Sequence, residues 1–122
     1  MASGLAQKGT LAARNNSTQQ LDATLVQIGT APIVYSAELD NTGNSSEVFV
    51  KFFNAASPTL GTTAPDEIVA VPALTKIMHH FNGGDGLSFP TGCWVGCVTT
   101  AGTPGTASPT NSVAAEIRTD GN

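Results

Sequence analysis

The sequence predicts an all-β fold: a single antiparallel β-sandwich or jelly-roll-like domain of about eight short strands. Three observations carry this prediction. Apolar and polar residues alternate in short segments at intervals near ten residues, clusters of Gly, Pro, Asn and Thr separate these segments, and no segment has a sustained helical period. With 122 residues, the chain suits one domain that buries a substantial core.

The first strands of the predicted sandwich lie between residues 21 and 40. In "LDATLVQIG", Leu21, Ala23 and Leu25 alternate with polar neighbours before the pattern breaks. The alternation in "APIVYSAELDN" is cleaner, and its predicted inward face is Ile33, Tyr35, Ala37 and Leu39. The stretch "DNTGNSS" then predicts a turn, because Asn, Asp and Gly tolerate the backbone conformations that turns require.

The segment "EVFVKFFN" has the most convincing strand pattern in the chain. Its first face consists of Val48, Val50 and Phe52. Its second face consists of Phe49, Lys51 and Phe53. Two phenylalanines beside a lysine are not typical of a solvated face, so we expect this second face to pack under a loop or against another subunit.

The remaining predicted strands are short and bounded by turn residues. "IVAV" stops at Pro72, which lacks the amide proton that a strand ladder uses, and "TKIMHHF" precedes the turn "NGGDG". "LSF", "CWVGCVTT" and "SVAAEIR" complete the set. Two long Pro-, Gly- and Thr-rich loops, 54–67 and 101–111, are predicted to cross from one sheet to the other.

The N-terminal segment differs from the rest of the chain. Residues 1–20 are polar without a sustained period, and we interpret them as an arm that is either disordered or laid along a neighbouring subunit. Residues 21–122 then form the sandwich domain. The apolar anchors of the arm are Leu5, Leu11, Ala12 and Ala13.

Composition excludes several classes of function. Charged residues make up 11% of the chain, the formal net charge is −4, and the 5 cations are scattered along it. Neither nucleic acid nor an anionic membrane surface is therefore an expected partner. No segment has the length of a transmembrane helix, and the N-terminus lacks the apolar stretch of a signal peptide. We expect synthesis in a cytoplasm.

The residue types that most often carry chemistry are few and badly placed for it. In a strand, Cys93 and Cys97 would share a face at about 13 Å, too far apart for a disulfide, so two buried free thiols are expected. His79 and His80 would point to opposite faces and cannot chelate one ion; a metal site would need His80 to join Asp85 or another acid. We predict no catalytic residue, cofactor, metal or small-molecule substrate, and therefore no enzyme.

The aromatic residues leave a binding role open. A platform on which a sugar ring stacks would use Tyr35, Phe49, Phe53 and Trp94. With 1 Trp and 1 Tyr in the chain, packing in the core or at an interface is the favoured interpretation.

Two stretches in the run from Val48 to Ile117 have a recognisable pattern: "VKFFNAASPTLGTTAPDEIVAVPA" and "FNGGDGLSFPTGCWVGCVTTAGTPGTASPTNSV". This run resembles a group of small structural proteins of tailed bacteriophages. In that group a "KFYN"-like strand is followed by "ASPTxGTTxPD", "VPA", a Gly-rich turn, "FxTG" and "TxGTxGT". The resemblance follows turns and strand edges over more than half of the chain, so it indicates architecture more specifically than role.

This resemblance implies a virion component, and the role we expect is a capsid decoration (cement) protein. Such a protein would be made in the host cytoplasm, lie on the capsid surface and bridge neighbouring subunits of the major capsid protein. We expect a homotrimer, because a trimer matches the three-fold symmetry positions of a capsid. Its three copies bind together, so contacts that are weak singly give strong overall binding. The expected residues of the interface with another copy or with the capsid are Leu5, Leu11, Ala12, Ala13, Phe49, Phe53 and Trp94. The alternative is a tail-fibre, spike or neck-associated module that contacts a host surface or another tail protein.

Overall fold

The computed structural model of the protein describes residues 14–120, which contain nine β-strands and one short 3₁₀ turn. The strands are β1 (Arg14–Leu21), β2 (Val26–Gly29), β3 (Ile33–Asp40), β4 (Val48–Asn54), β5 (Glu67–Val71), β6 (Lys76–His80), β7 (Leu87–Ser88), β8 (Cys93–Val98) and β9 (Val113–Asp120). The 3₁₀ turn, Phe81–Gly84, lies between β6 and β7. The prediction of an all-β domain is confirmed.

The strands form two antiparallel sheets that pack together as a sandwich. Sheet 1 has the order β1-β9-β3-β6, with β7 also pairing with β3, and sheet 2 has the order β2-β8-β4-β5. Each connection crosses between the sheets, except those that join β4 to β5 and β6 to β7. Successive strands are thus wound alternately into the two sheets, which is the jelly-roll arrangement.

The core between the sheets is built from alternate side chains of facing strands. Its members from β4 and β8 are Val48, Val50, Phe52, Cys93, Val95 and Cys97. These are the inward faces that alternation predicts for both strands. The ring of Phe52 packs edge-on against Phe81 at 5.0 Å between centroids and lies tilted 6.5 Å from Phe89. Each such buried aromatic side chain stabilises the fold by about 1.5–3 kcal/mol.

Strand β3 departs from its predicted alternation near its N-terminal end. Arg118 of β9 pairs with Ser36 and the next residue of β9 pairs with Val34, so Tyr35 is an extra residue in a β-bulge. Val34 is therefore fully buried, whereas Ile33 and Tyr35 are only half-buried. The predicted inward positions of Ile33 and Tyr35 are wrong because the bulge reverses the parity of the strand.

The two long loops behave differently. The loop between β8 and β9 crosses from sheet 2 to sheet 1, as predicted. The loop between β4 and β5 does not, because these strands are antiparallel neighbours in sheet 2. Asp66 closes this loop: its backbone N–H donates to Phe52 O at 2.8 Å, and its carboxylate accepts from the N–H of Asn54 at 2.7 Å.

Strand β1 begins earlier in the chain than the predicted domain boundary at residue 20. Residues 14–20, which the sequence assigned to the arm, are extended and pair with the chain's own β9 through an uninterrupted register. The sequence of this strand shows no alternation of apolar and polar residues, because its inward positions before Leu21 are the polar residues Ser17 and Gln19. Residues 1–13 lie outside the described residues, together with the predicted anchors Leu5, Leu11, Ala12 and Ala13.

Candidate interaction surface

The centre of the outer face of sheet 2, on β4 and β8, is covered by the chain itself. Lys51 is 0% exposed and Phe53 is 1% exposed, although both point away from the core between the sheets. Val98 of the neighbouring strand β8 is also fully buried and lies outside the central core. Of the two covers expected for the second face of β4, a loop or another subunit, the structure shows a loop.

Lys51 holds this cover in place. Its ammonium donates hydrogen bonds to Gly102 O at 2.7 Å and to Gly105 O at 3.3 Å, both in the loop between β8 and β9. Burial lowers the pKa of Lys51, because desolvation disfavours its charged form. A buried ammonium is tolerated only where acceptors replace its lost water, and the two carbonyls supply that replacement.

The β4–β5 loop lies against the β8–β9 loop. Gly61 has a φ of +91°, and a Cβ at this position would lie 2.7 Å from Thr106 Cγ2. Each loop also has internal hydrogen bonds: Thr63 N–H donates to Thr59 O at 2.9 Å, and Thr99 N–H donates to Ala107 O at 3.0 Å. We call residues 55–65 and 99–112 together the loop layer.

The loop layer has no charged residue. Its two segments, "AASPTLGTTAP" and "TTAGTPGTASPTNS", consist mostly of Thr, Ala, Pro, Ser and Gly. Many of these side chains are exposed. Small side chains lose little rotamer freedom on contact, and uncharged ones are cheap to desolvate, so this surface is suited to close approach by another protein.

An asparagine cluster ties the loop layer to one end of the sandwich. Asn44 is 5% exposed. Its side-chain oxygen accepts from the N–H of Asn111 at 2.8 Å, while its amide nitrogen donates to Asn111 O and to Asn41 Oδ1, both at 2.9 Å. The fully buried Asn41 donates in turn to Ser46 O and Pro72 O at 3.0 Å. Three turns that are distant in sequence are thereby joined.

Beside this cluster lies a shallow cleft of about 190 Å³. Hydroxyl and amide side chains dominate its lining, which includes Ser45, Ser46, Thr99, Ser108 and Thr110. The cleft has no titratable group in its lining. It therefore offers hydrogen-bond donors and acceptors rather than acid–base chemistry.

The opposite face of the molecule, on sheet 1, carries partly exposed charged residues: the acids Glu38, Asp40 and Glu116 and the cations Lys76 and Arg118. Glu38 and Glu116 are direct partners across the β3–β9 pair, a like-charge arrangement that costs stability. Thr18 and Asn16 donate to the two oxygens of Glu116 at 2.6 Å, and these hydrogen bonds lower the pKa of that carboxyl. Lys76 lies 3.9 Å from Glu38. Asp40 adds a further carboxylate to this face, and hydrogen bonds from Thr42 lower its pKa.

Three of the predicted interface residues, Phe49, Phe53 and Trp94, lie on the outer face of sheet 2, where Phe53 and Trp94 are direct partners across the β4–β8 pair. Phe49 is half-buried, and Phe53 is only 1% exposed, so Phe53 is not available to a partner in this arrangement. Trp94 is half-buried, and within residues 14–120 its buried Nε1 has no hydrogen-bond partner. Tyr35 lies in sheet 1, away from the other three aromatic residues in sheet 2, so the four do not form one sugar platform.

The candidate chemical groups occupy structural positions. Cys93 and Cys97 are free and fully buried, as predicted, and burial raises the pKa of each thiol to about 12. His79 is half-buried: its Nε2 lies 3.1 Å from Glu67 Oε2, and its ring packs edge-on against Phe81. His80 is exposed, so the two neighbouring histidines lie on opposite faces of the strand, as predicted. Among the described residues, no three metal-binding side chains lie together.

Comparison with protein-family models and with curated proteins gives no match to this chain. Within residues 14–120, no helix has the length and apolar character needed to cross a membrane.

The loop layer was only partly predictable. The signal for a covered outer face was present in β4, where Lys51 lies between two phenylalanines. No comparable signal marks the asparagine cluster, because Asn44 and Asn111 are ordinary turn residues until the fold brings them together.

Proposed function

We propose that the protein is a structural component of a tailed-phage virion that decorates and cements the capsid. It binds the capsid surface as a small oligomer, a homotrimer, and bridges neighbouring subunits of the major capsid protein. The sequence resemblance to phage structural proteins supports this proposal, and the jelly-roll fold, which recurs in viral capsid proteins, agrees with it by analogy.

The loop layer is the observation that carries the proposal. It is an uncharged surface of small side chains, held on a rigid sheet by Lys51 and by the asparagine cluster. A surface of this kind makes many weak contacts with little loss of conformational entropy. A closed oligomer that presents several copies converts these contacts into strong attachment through effective concentration.

The test is sedimentation of the purified protein with undecorated capsids of the phage that encodes it. A variant with Ala64→Glu and Ala101→Glu places two charges on the loop layer. The matched control, Ala31→Glu with Ala70→Glu, places the same charges on exposed sites elsewhere. We expect the loop-layer variant to bind at least tenfold more weakly and the control to bind like the unchanged protein. Equal binding by all three proteins would refute the loop layer as the contact surface, and no binding by the unchanged protein would refute the function.

The hydroxyl-lined cleft beside the asparagine cluster favours a second proposal, a tail-fibre, spike or neck-associated module that contacts a host surface. Its polar lining suits a glycan, and half-exposed Trp94 provides an aromatic surface elsewhere on the molecule. A glycan array separates the two proposals, because a decoration protein binds capsids and ignores sugars.

A further inference from the structure

Strand β1 leaves a whole edge of sheet 1 unpaired within residues 14–120. It pairs with β9 through eight consecutive residues without a register shift, and with no other described strand. Eight residues of antiparallel strand extend about 27 Å. The strand has no proline, and no charged residue follows Arg14 in it. Within the described residues, the outer edge of β1 is therefore a long row of backbone N–H and C=O groups without a strand partner.

The other edge strands of the described sandwich have the protections common in soluble proteins. Strand β2 has 4 residues and an irregular register against β8. Strand β5 has 5 residues and runs into Pro72, and β6 has 5 residues and begins with Lys76. Strand β1 also begins with a cation, Arg14, but it is longer than these strands, has no proline and keeps an unbroken register against β9. An edge of this kind is a template for an added strand.

The apolar core is also incompletely covered beside β1. Val26 and Ile28 of β2 pack against the core but remain half-buried. The inward positions of β1 before Leu21 are Gln19 and Ser17, and the Gln19 side chain donates to Ser17 Oγ at 2.9 Å. These polar groups do not bury Val26 and Ile28, so a neighbouring strand with apolar inward side chains would extend the core there.

We propose that residues 1–13 of a second copy of this chain add a strand to the free edge of β1. The proposal rests on the small-oligomer part of the proposed function and names its contact. Residues 1–13 contain no proline, so nothing in them prevents a continuous ladder. Leu5 and Leu11 are six residues apart in sequence and therefore fall on the same side of a strand.

Charge is compatible with the same pairing. The first 21 residues contain no Asp or Glu, and residues 1–13 include Lys8. The outer face of sheet 1 carries the carboxylates of Glu38, Asp40 and Glu116 together with the cations of Lys76 and Arg118. A strand that adds Lys8 beside β1 therefore meets charges of both signs.

A second copy is a better source of the strand than the same chain. A hairpin within one chain would need a tight reversal just before Arg14, where "TLAA" lacks the Gly, Asn or Asp that such turns use. Thirteen extended residues reach about 45 Å, enough to pass to a neighbouring molecule. An arm passed from each copy to the next makes a heterologous interface, which closes into a ring such as a trimer.

The experiment measures the mass of the full chain by size-exclusion chromatography with light scattering, and the hydrogen exchange of the β1 amides. We expect an oligomer in which the β1 amides exchange slowly. Ser17→Lys puts a charge at the inward rim of the free edge and should give a monomer with faster exchange in β1. Ala70→Lys, with the same charge on β5, should keep the oligomer.

A second pair of variants changes only the arm, so it does not depend on whether Ser17→Lys folds. Leu5→Asn with Leu11→Asn should raise the dissociation constant of the oligomer at least tenfold, and the control Ala2→Asn with Ala6→Asn, on the other side of the strand, should not. A monomeric full chain, protected β1 amides in a monomer, or equal dissociation constants for both pairs overturns the inference. Capsid binding by a monomer would overturn this inference and the homotrimer but leave the decoration role standing. An arm-dependent oligomer that does not bind capsids would support this inference and refute the decoration role.

Discussion

The ammonium of Lys51 lies 2.7 Å from the carbonyl oxygen of Gly102, a residue 51 positions further along the chain. This hydrogen bond joins the centre of sheet 2 to the loop that leaves the sheet for the other side of the sandwich. The buried ammonium of Lys51 thus holds the uncharged loop layer in place. The surface that we propose as the capsid contact depends on this attachment.

Replacing Lys51 should loosen the loop layer while the sandwich stays folded. Lys51→Met keeps most of the apolar stem but leaves the carbonyls of Gly102 and Gly105 without the ammonium, so we expect a loss of about 1–2 kcal/mol in the free energy of unfolding. Hydrogen exchange should accelerate at the Thr99 and Gly105 amides and stay unchanged in the core of β8. Unchanged exchange in the loop would show that Lys51 does not anchor it.

The two buried thiols should make the protein less stable at alkaline pH. In the unfolded chain Cys93 and Cys97 ionise near their ordinary pKa of 9.0, whereas in the folded protein the pKa of each is about 12. Between these values the unfolded state binds fewer protons, so the free energy of unfolding falls as pH rises, by about 1 kcal/mol for each thiol at pH 10.

Urea unfolding from pH 8 to pH 10.5 measures this effect, with Cys93→Ala plus Cys97→Ala as the test variant. In this variant, the free energy of unfolding should no longer fall through ionisation of the thiols as pH rises. Lys51 contributes with the opposite sign, because burial lowers its pKa and the unfolded lysine holds its proton to higher pH. If the free energy of unfolding falls equally in the variant, the pH dependence arises from groups other than the two thiols.

The contact between the two long loops should be sensitive to one methyl group. Gly61→Ala introduces a Cβ at a φ of +91° and 2.7 Å from Thr106 Cγ2. We expect a loss of about 1–2 kcal/mol from backbone strain and overlap. Adding Thr106→Ser removes the overlapping methyl group and should recover part of this loss in thermal unfolding, since the strain remains. Additive effects of the two changes would mean that the residues do not touch.

The asparagine cluster should contribute more to stability than its surface position suggests. Asn44→Ala leaves the backbone groups of Asn111 and the Oδ1 of Asn41 without partners, and we expect a loss of about 3 kcal/mol. Gln27→Ala is a control that removes an amide side chain from an exposed strand position, and it should cost far less. Equal midpoints in chemical unfolding for the two variants would contradict this account of the cluster.

The elements that sequence reasoning found are those whose pattern is complete within a few residues. Strand β4 shows its inward face in Val48, Val50 and Phe52, and β8 shows its own in Cys93, Val95 and Cys97. The elements it missed depend on partners far along the chain. Strand β1 has no apolar alternation of its own and is a strand because β9 pairs with it. The β4–β5 loop was assigned to a crossover because loop length does not reveal which strands lie side by side.

By itself, the sequence determined that this chain is an all-β sandwich, that its two cysteines lie on one buried face, and that the outer face of β4 is covered. Alternation with a period of two is a local property, and it is legible without knowing the fold. Only the tertiary structure decided that a loop covers Lys51, that Tyr35 sits in a bulge, and that Asn44 meets Asn111. Each of these features depends on a contact between residues that are distant in sequence. The local sequence around one residue does not identify its partner.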